Sequence, residues 1–247
     1  NSGSWQWAVK AGGSDDEVAY DLSYSSGDLY ITGEFEGTPS FGSTTLTAPS
    51  NSYSDAFVAK LDQNGTWDWA MGINGSGPIS GRAIDTTSSN VYVSGTFSST
   101  ATFGSTSLTS SGQDDEFISS LALNGTWVWA KQFGGNYGDN SYDLISNSNG
   151  TLYLVGTTSS TPAYFGNLTV SSTAFFAKYA QEEDTDDDND GLADTLDSCA
   201  RGDLNWTSTS STDWDGDGCR DAGEDTDDDN DGVSDTNDLC AQTPLGS

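Results

Sequence analysis

A period of about sixty residues, passed through three times, constrains this chain more than any other feature of its sequence. Trp5-Gln6-Trp7-Ala8 returns as Trp67-Asp68-Trp69-Ala70 and Trp127-Val128-Trp129-Ala130. Leu29-Tyr30-Ile31-Thr32-Gly33 returns as Val91-Tyr92-Val93-Ser94-Gly95 and Leu152-Tyr153-Leu154-Val155-Gly156. Phe41-Gly42 returns as Phe103-Gly104 and Phe165-Gly166. Asp55-Ala56-Phe57-Val58-Ala59-Lys60-Leu61 returns as Glu116-Phe117-Ile118 and Phe175-Phe176-Ala177-Lys178. The first tryptophan recurs at offsets of 62 and 60, and the Phe-Gly pair at 62 and 62, an agreement chance does not produce. Each unit reads as four short strands: the Trp-x-Trp segment, the stretch at 20–25, the Tyr-x-x-Gly strand and the Phe-Val-Ala-Lys strand. The Phe-Gly-Ser-Thr-Thr-Leu-Thr piece offers a hairpin arm. β-branched and aromatic residues fill the strands, and Asn64-Gly65 and Asn124-Gly125 supply tight turns before the tryptophans. Four short strands in such a unit mark a propeller blade. A stacked solenoid would repeat at a shorter period, and separate small sandwiches of this size would bury too little surface to stand alone.

The ordered set of landmarks over 5–180 resembles the prokaryotic secreted β-propeller repeats known as SBBP repeats. The resemblance implies scaffold or binding modules of surface proteins, with no established chemistry of their own. The expected fold is therefore all-β, with three four-stranded blades at about 5–66, 67–126 and 127–181 in a first domain, 1–181. Counted from Trp-x-Trp to Phe-Ala-Lys, every unit reads as complete, with no split blade to act as a latch. Closed propellers use about 4–8 blades, so three units either close as a small ring or are completed by neighbouring chains. Completion by neighbours, as a dimer or larger assembly, is the expectation.

From Glu182 onward the sequence changes. Residues 182–247 carry 22 acidic side chains and 2 arginines, and the acids are spaced as well as abundant. Asp186, Asp188, Asp190, Gly191, Leu192, Asp194 and Asp197 occupy positions 1, 3, 5, 6, 7, 9 and 12 of a twelve-residue frame. Asp213, Asp215, Asp217, Gly218, Cys219, Asp221 and Glu224 repeat it, as do Asp227, Asp229, Asp231, Gly232, Val233, Asp235 and Asp238. Alternation throws three carboxylates to one side of a turn, glycine takes the bend, position 7 offers a backbone carbonyl, and position 12 closes the shell. Ca²⁺, which takes 6–8 hard oxygens, makes these demands. About three ions are expected. A merely solvated acidic tail would not keep glycine at position 6 in three successive frames. Paired EF-hands are excluded because Ser198–Thr212 and Thr236–Gly246 lack an amphipathic helical period.

The run Asp-Thr-Asp-Asp-Asp-Asn-Asp-Gly-Leu-Ala-Asp-Thr-Leu-Asp-Ser-Cys, its echo at 225–240 and the Asp-Trp-Asp-Gly-Asp-Gly-Cys-Arg-Asp between them resemble thrombospondin type 3 repeats. That resemblance implies a chain wrapped around calcium ions, with the frame residues as ligands and Asp184 and Asp225 reaching neighbouring ions. Asp187 and Asp228 take no place in the frame. It also implies disulfides between neighbouring loops. Cys199 and Cys219 flank the long connector between the first two loops, and linking them would staple it. Cys240 is then left without a partner, and three free buried thiols is the alternative.

The remaining classes fall on composition. Seven basic side chains against 38 acidic ones, net −31, leave no basic stripe for nucleic acid. No apolar run approaches the length needed to span a bilayer. With no histidine there is no Ser-His-Asp device and no imidazole zinc site. The chain opens at Asn1-Ser2 with neither initiator methionine nor signal peptide, as expected of a processed chain or a fragment. Asp15-Asp16-Glu17 and Asp114-Asp115-Glu116 invite a glycosidase reading, but the first triplet falls where the other units have Ser76–Ser80 and Gly138–Ser141, as a loop insert or an extra ion contact would. Two tryptophans at i and i+2 share one strand face, and packing between blades outweighs sugar stacking as their use. Trp206 and Trp214 are expected to cover the calcium loops. Six Asn-x-Ser/Thr sequons, at Asn64, Asn74, Asn124, Asn149, Asn167 and Asn205, allow glycosylation in a suitable host.

The reading is a non-enzymatic, secreted or cell-surface structural or adhesive protein of a prokaryote. A blade head would bind itself or a cell-surface or glycan ligand, and a calcium-stiffened connector would lead to further domains. The rival reading is a non-catalytic appendage, carbohydrate-binding or spacer, of a larger secreted hydrolase.

Overall fold

Extended, β-branched and aromatic segments separated by Gly and Asn turns pair with their sequence neighbours, and the landmarks fall into antiparallel meanders. The computed structural model describes residues 2–49, 53–180, 191–193, 196–199, 206–222, 225–229 and 233–237. The protein is all-β, with fifteen strands and no helix among the described residues. It divides into two compact units, Asn1–Gln181 and Glu182–Ser247.

In the first unit, β1 (Glu17–Ser25), β2 (Asp28–Phe35), β5 (Asp55–Asp62) and β6 (Trp67–Gly75) form a four-stranded meander, with the small hairpin β3 (Ser40–Phe41) and β4 (Thr44–Thr45) between its middle strands. A second meander follows: β7 (Ile79–Thr86), β8 (Asn90–Phe103), β9 (Thr106–Ala122) and β10 (Trp127–Phe133). Here the hairpin arm is continuous with the long β8 and β9. The third comprises β11 (Asp139–Ser146), β12 (Leu152–Thr158) and β15 (Ala174–Tyr179), with the hairpin β13 (Ala163–Phe165) and β14 (Leu168–Val170). Asn74 pairs with Thr102 and Gly75 with Ala101, which joins the first two meanders by hydrogen bonds.

The sheet and the sequence repeat are out of step. Counting from each Trp-x-Trp makes every unit appear complete. In the structure each Trp-x-Trp strand instead pairs with the Phe-Val-Ala-Lys strand that precedes it, β6 on β5 and β10 on β9. The reason is the Asn-Gly turn: residues 62–66 and 122–126 are tight enough to close a hairpin, as the bonds from Gly65 N to Asp62 O and Gly125 N to Ala122 O show. The third sheet consequently has three strands among the described residues, where four were expected, and Trp5-Gln6-Trp7 lies outside any strand.

The motif glycines have a steric cause. A Cβ on Gly33, Gly95 or Gly156 would run into the carbonyl oxygen of Val18, Ser80 or Asn140 on the first strand of the same sheet. That first strand carries a β-bulge at the same point each time, at Ala19/Asp21, Gly81/Ala83 and Ser141/Asp143.

The sheets stack in order, and their contacts make the core. One cluster joins the first two sheets through Tyr30, Val58 and Ile73 against Ile84, Val93 and Phe117. Another joins the second and third through Tyr92 and Ile118 against Leu144, Leu154 and Phe175. A third lies on the far face of the first sheet, with Phe35, Phe41 and Phe57. The first strands run side by side: Ile84 N donates to Asp21 Oδ2 at 2.9 Å, and Ser146 N to Asp85 Oδ2 at 2.6 Å. Strand β7 packs between β1 and β11, and no substantial packing joins β1 to β11 among the described residues. Among the described residues the sheets do not close into a propeller.

The tryptophans correct the expectation that i and i+2 share a face. Pairing slips between Trp67 and Trp69, and again between Trp127 and Trp129, so each pair straddles a bulge. Trp67 packs with the far-face cluster and Trp69 with the core between the first two sheets. Trp127 and Trp129 divide in the same way between the two inter-sheet cores.

Candidate metal centre

The acidic unit has few apolar side chains, and its described structure is organised by carboxylates accepting backbone N–H groups. Asp213 is the clearest case. Its Oδ1 accepts from Gly216 N at 2.8 Å and Asp217 N at 3.1 Å, and its Oδ2 from Gly218 N at 3.1 Å and Ser208 Oγ at 2.5 Å. Burial pushes its carboxyl up, but these four donors together outweigh that and hold it below the ordinary carboxylate range. The turn they define places one carboxylate oxygen each from Asp213, Asp215 and Asp217 within 4.8 Å of one another. These are frame positions 1, 3 and 5. Gly218, at position 6, has φ +89°, and Gly191, at position 6 of the first frame, has φ +101°. Only glycine takes such angles without strain.

The described parts of the second and third frames are bonded alike. Trp214 N donates to Asp221 Oδ1 at 3.0 Å, and fourteen residues on Asp228 N donates to Asp235 Oδ1 at 2.9 Å. Asp221 N donates to Thr212 O at 3.1 Å, and Asp235 N to Thr226 O at 3.0 Å. In both, the position-9 residue is tied back across the start of its own loop.

A second convergence crosses frames. Carboxylate oxygens of Asp221, Asp225 and Asp228 also lie within 4.8 Å of one another. Asp225 Oδ2 is buried with no hydrogen-bond partner among the described residues. Asp225 is a ligand that the thrombospondin type 3 resemblance implies, whereas Asp228 takes no place in the frame. A twelve-residue template reads one loop at a time and cannot see a site shared between the end of one loop and the start of the next. The only signal was the unbroken Asp227-Asp228-Asp229 run.

Cys199 and Cys219 form a disulfide with Cα atoms 5.0 Å apart. Beside it, Ser198 N donates to Asp217 O at 2.6 Å and Cys199 N to Asp197 Oδ1 at 2.6 Å. A Cβ on Gly218 would strike the Asp197 carboxylate, so the end of the first frame is seated on the bend of the second. Leu192, Asp197, Asp227, Asp229 and Val233 are described and engaged. Asp184, Asp186, Asp188, Asp190, Asp194, Glu224, Asp231, Asp238 and Cys240 lie outside the described residues. Trp214 engages its loop through its backbone N–H, and the residue is 41% exposed.

The other acidic candidates lie in the stacked sheets. Asp115 and Glu116 are buried between the second and third sheets, Glu116 standing where the first unit has Ala56. Burial drives the Glu116 carboxyl well above its ordinary value; the Ser141 hydroxyl and Arg82 oppose this, and the Asp139 and Asp115 carboxylates add to it. Asp15 and Glu17 sit at the entry to β1, where Glu17 Oε1 accepts from Gly13 N at 3.0 Å.

No protein-family model matches the chain, and no curated protein matches it significantly. No helix among the described residues is long and apolar enough to cross a membrane.

Proposed function

We propose that this chain is a non-enzymatic, extracellular, calcium-binding structural protein. Its stacked sheets are propeller-type blades forming a head for binding or assembly, and its acidic unit is a thrombospondin type 3-like connector stiffened by calcium. The observation that carries this is the convergence of Asp213, Asp215 and Asp217 within a turn whose bonding pattern recurs fourteen residues later. The donor set is entirely oxygen, which suits a hard divalent cation rather than a soft one. Calcium, when bound, supplies the positive charge that clustered carboxylates need in order to stay together.

The chain's own residues do the rest. Asp213, Asp215 and Asp217, with the Cys219 carbonyl, are the proposed ligands of one site, and Asp221, Asp225 and Asp228 those of an adjacent one. The disulfide and the Asp197–Gly218 contact hold consecutive loops in register. An oxidised Cys199–Cys219 pair is compatible with an extracellular setting.

Calorimetric titration of the chelated protein with Ca²⁺ tests this. Binding of several ions is expected, with Asp213→Asn and Asp215→Asn each lowering the affinity or number of sites. No heat of binding at millimolar Ca²⁺, with magnesium giving the same trace, would sink the proposal.

A further inference from the structure

The first unit carries a tryptophan knob with no hole at one end and a hole with no knob at the other. In the first two sheets the Trp-x-Trp strand makes a fixed set of contacts. Its first indole, Trp67 or Trp127, stands edge-on to Phe41 or Phe103 at 5.2 Å. The same residue covers the next glycine, lying 3.1 Å from a Cβ built on Gly42 and 3.2 Å from one on Gly104. Its second indole, Trp69 or Trp129, packs on Tyr30 or Tyr92 at 6.2 and 6.3 Å.

The third sheet has these receptors and, among the described residues, lacks the strand. Phe165 and Gly166 occupy the Phe-Gly position, and a Cβ built on Gly166 would meet nothing within 4 Å. A cavity of about 390 Å³ opens there, lined by Phe133, Phe165, Gly166, Leu168 and Phe176 among others. Tyr153, the counterpart of Tyr30 and Tyr92, is exposed. Phe176 is 84% exposed, whereas Val58 and Ile118 at the same place are 0% and 3% exposed beneath the following sheet. Among the described residues β15 pairs with β12 alone.

The spare strand lies at the opposite end of the stack. Trp5 is 97% exposed. The segment around it nonetheless sits against the first sheet as a fourth strand sits against the sheet that follows it. Trp7 Nε1 donates to Gln63 O at 3.0 Å, as Trp69 Nε1 donates to Leu123 O at 3.2 Å. Gly12 bridges to Ser40 as Gly134 bridges to Tyr164. Leu22, at the position where Ile84 and Leu144 are covered by a preceding sheet, is 60% exposed.

We propose that a second copy of this chain completes the third sheet. Residues 5–9 of one copy add to β15 in the other along Phe176–Lys178, on the side away from β12, in the register of β5 with β6. That register sets Trp7 opposite Lys178, Ala8 opposite Ala177 and Val9 opposite Phe176, and puts Trp5 in the cavity beside Phe165 and Gly166. The exposed Phe176 and Leu22 faces are buried by the same movement. A second copy is the occupant because the two half-sites lie at opposite ends of a row in which β7 separates β1 from β11. The two faces also repeat, residue for residue, the joints already made inside the chain. Two copies pool six sheets, within the range of about 4–8 that closed rings use. The joint belongs to the head alone and goes beyond the calcium reading.

The test uses full-length chains in a C240S background. Separately prepared A8C and A177C proteins, mixed under mild oxidation, should form a linked pair whose yield falls on dilution. Sedimentation should show a concentration-dependent dimer, weakened about tenfold or more by Trp5→Ala, as truncating a buried interface tryptophan does. Phe176→Asp should abolish it, and because both side chains are exposed in the single chain, far-UV CD should be unchanged. Repetition in EDTA separates the two readings, since association should persist whatever the acidic unit does. A strictly monomeric protein with no A8C–A177C link overturns the proposal. So does a doubly substituted chain that links within itself at a rate independent of concentration.

Discussion

Asp55 shows how a single buried acid sets a pH limit on the head. Burial pushes its carboxyl up to about 6, against the Gly75 N–H that donates to Oδ1 at 3.2 Å. An acid whose folded value lies above its unfolded one contributes fully below about pH 4, and the contribution is lost as pH rises through 6. Asp55→Asn keeps an acceptor for Gly75 and removes the charge, so it should stabilise the head at pH 7 and flatten this loss. Thermal melts at pH 4, 5, 6 and 7 check it, and a variant that tracks the parent across that range would contradict the assignment. The frame positions were readable at this scale because alternation and a glycine bend are local properties. The Asp221–Asp225–Asp228 convergence was not, because it joins residues whose proximity depends on the path of the chain between loops.

At the scale of the element, the strands were legible and their grouping was not. Tyr-x-x-Gly and Phe-Gly each mark a strand or turn in all three units, and Trp-x-Trp opens a strand in two of them. Which strand pairs with which was hidden, because a periodic sequence can be cut anywhere without changing its period. The Asn-Gly turns decide it by closing β5 onto β6 and β9 onto β10. The bulge that turns Trp67 and Trp69 to opposite faces was equally invisible to a strict two-residue alternation. Gly95 offers a direct check on the pairing. Its place against the Ser80 carbonyl leaves no room for a methyl group, so Gly95→Ala should cost about 1–3 kcal/mol, the usual range for overpacking a tight interior. Urea unfolding followed by tryptophan fluorescence measures it. An unchanged midpoint would mean that β7 and β8 do not approach as closely as described.

On the scale of the whole molecule, the two units hold together by different physics. The stacked sheets bury apolar clusters, whereas the acidic unit packs carboxylates and backbone amides around a disulfide. Removing divalent cations should therefore expand and expose the acidic unit to proteases while the head keeps its β signature. Limited proteolysis in EDTA and in calcium, read by mass spectrometry, distinguishes the two, and a cleavage pattern insensitive to EDTA would count against the calcium reading. The meander has a further consequence, in time rather than in space. Within each meander every pairing is between strands that follow one another or are parted only by the small hairpin β3–β4 or β13–β14, so no strand waits for a distant partner and loop closure costs little. A chain emerging from its N-terminus can finish its first sheet once residue 75 is free and its second at 133. Folding can then keep pace with synthesis, without a long-lived unfolded remainder to aggregate. On the joint proposed above, only the third sheet must wait, and it waits for another molecule.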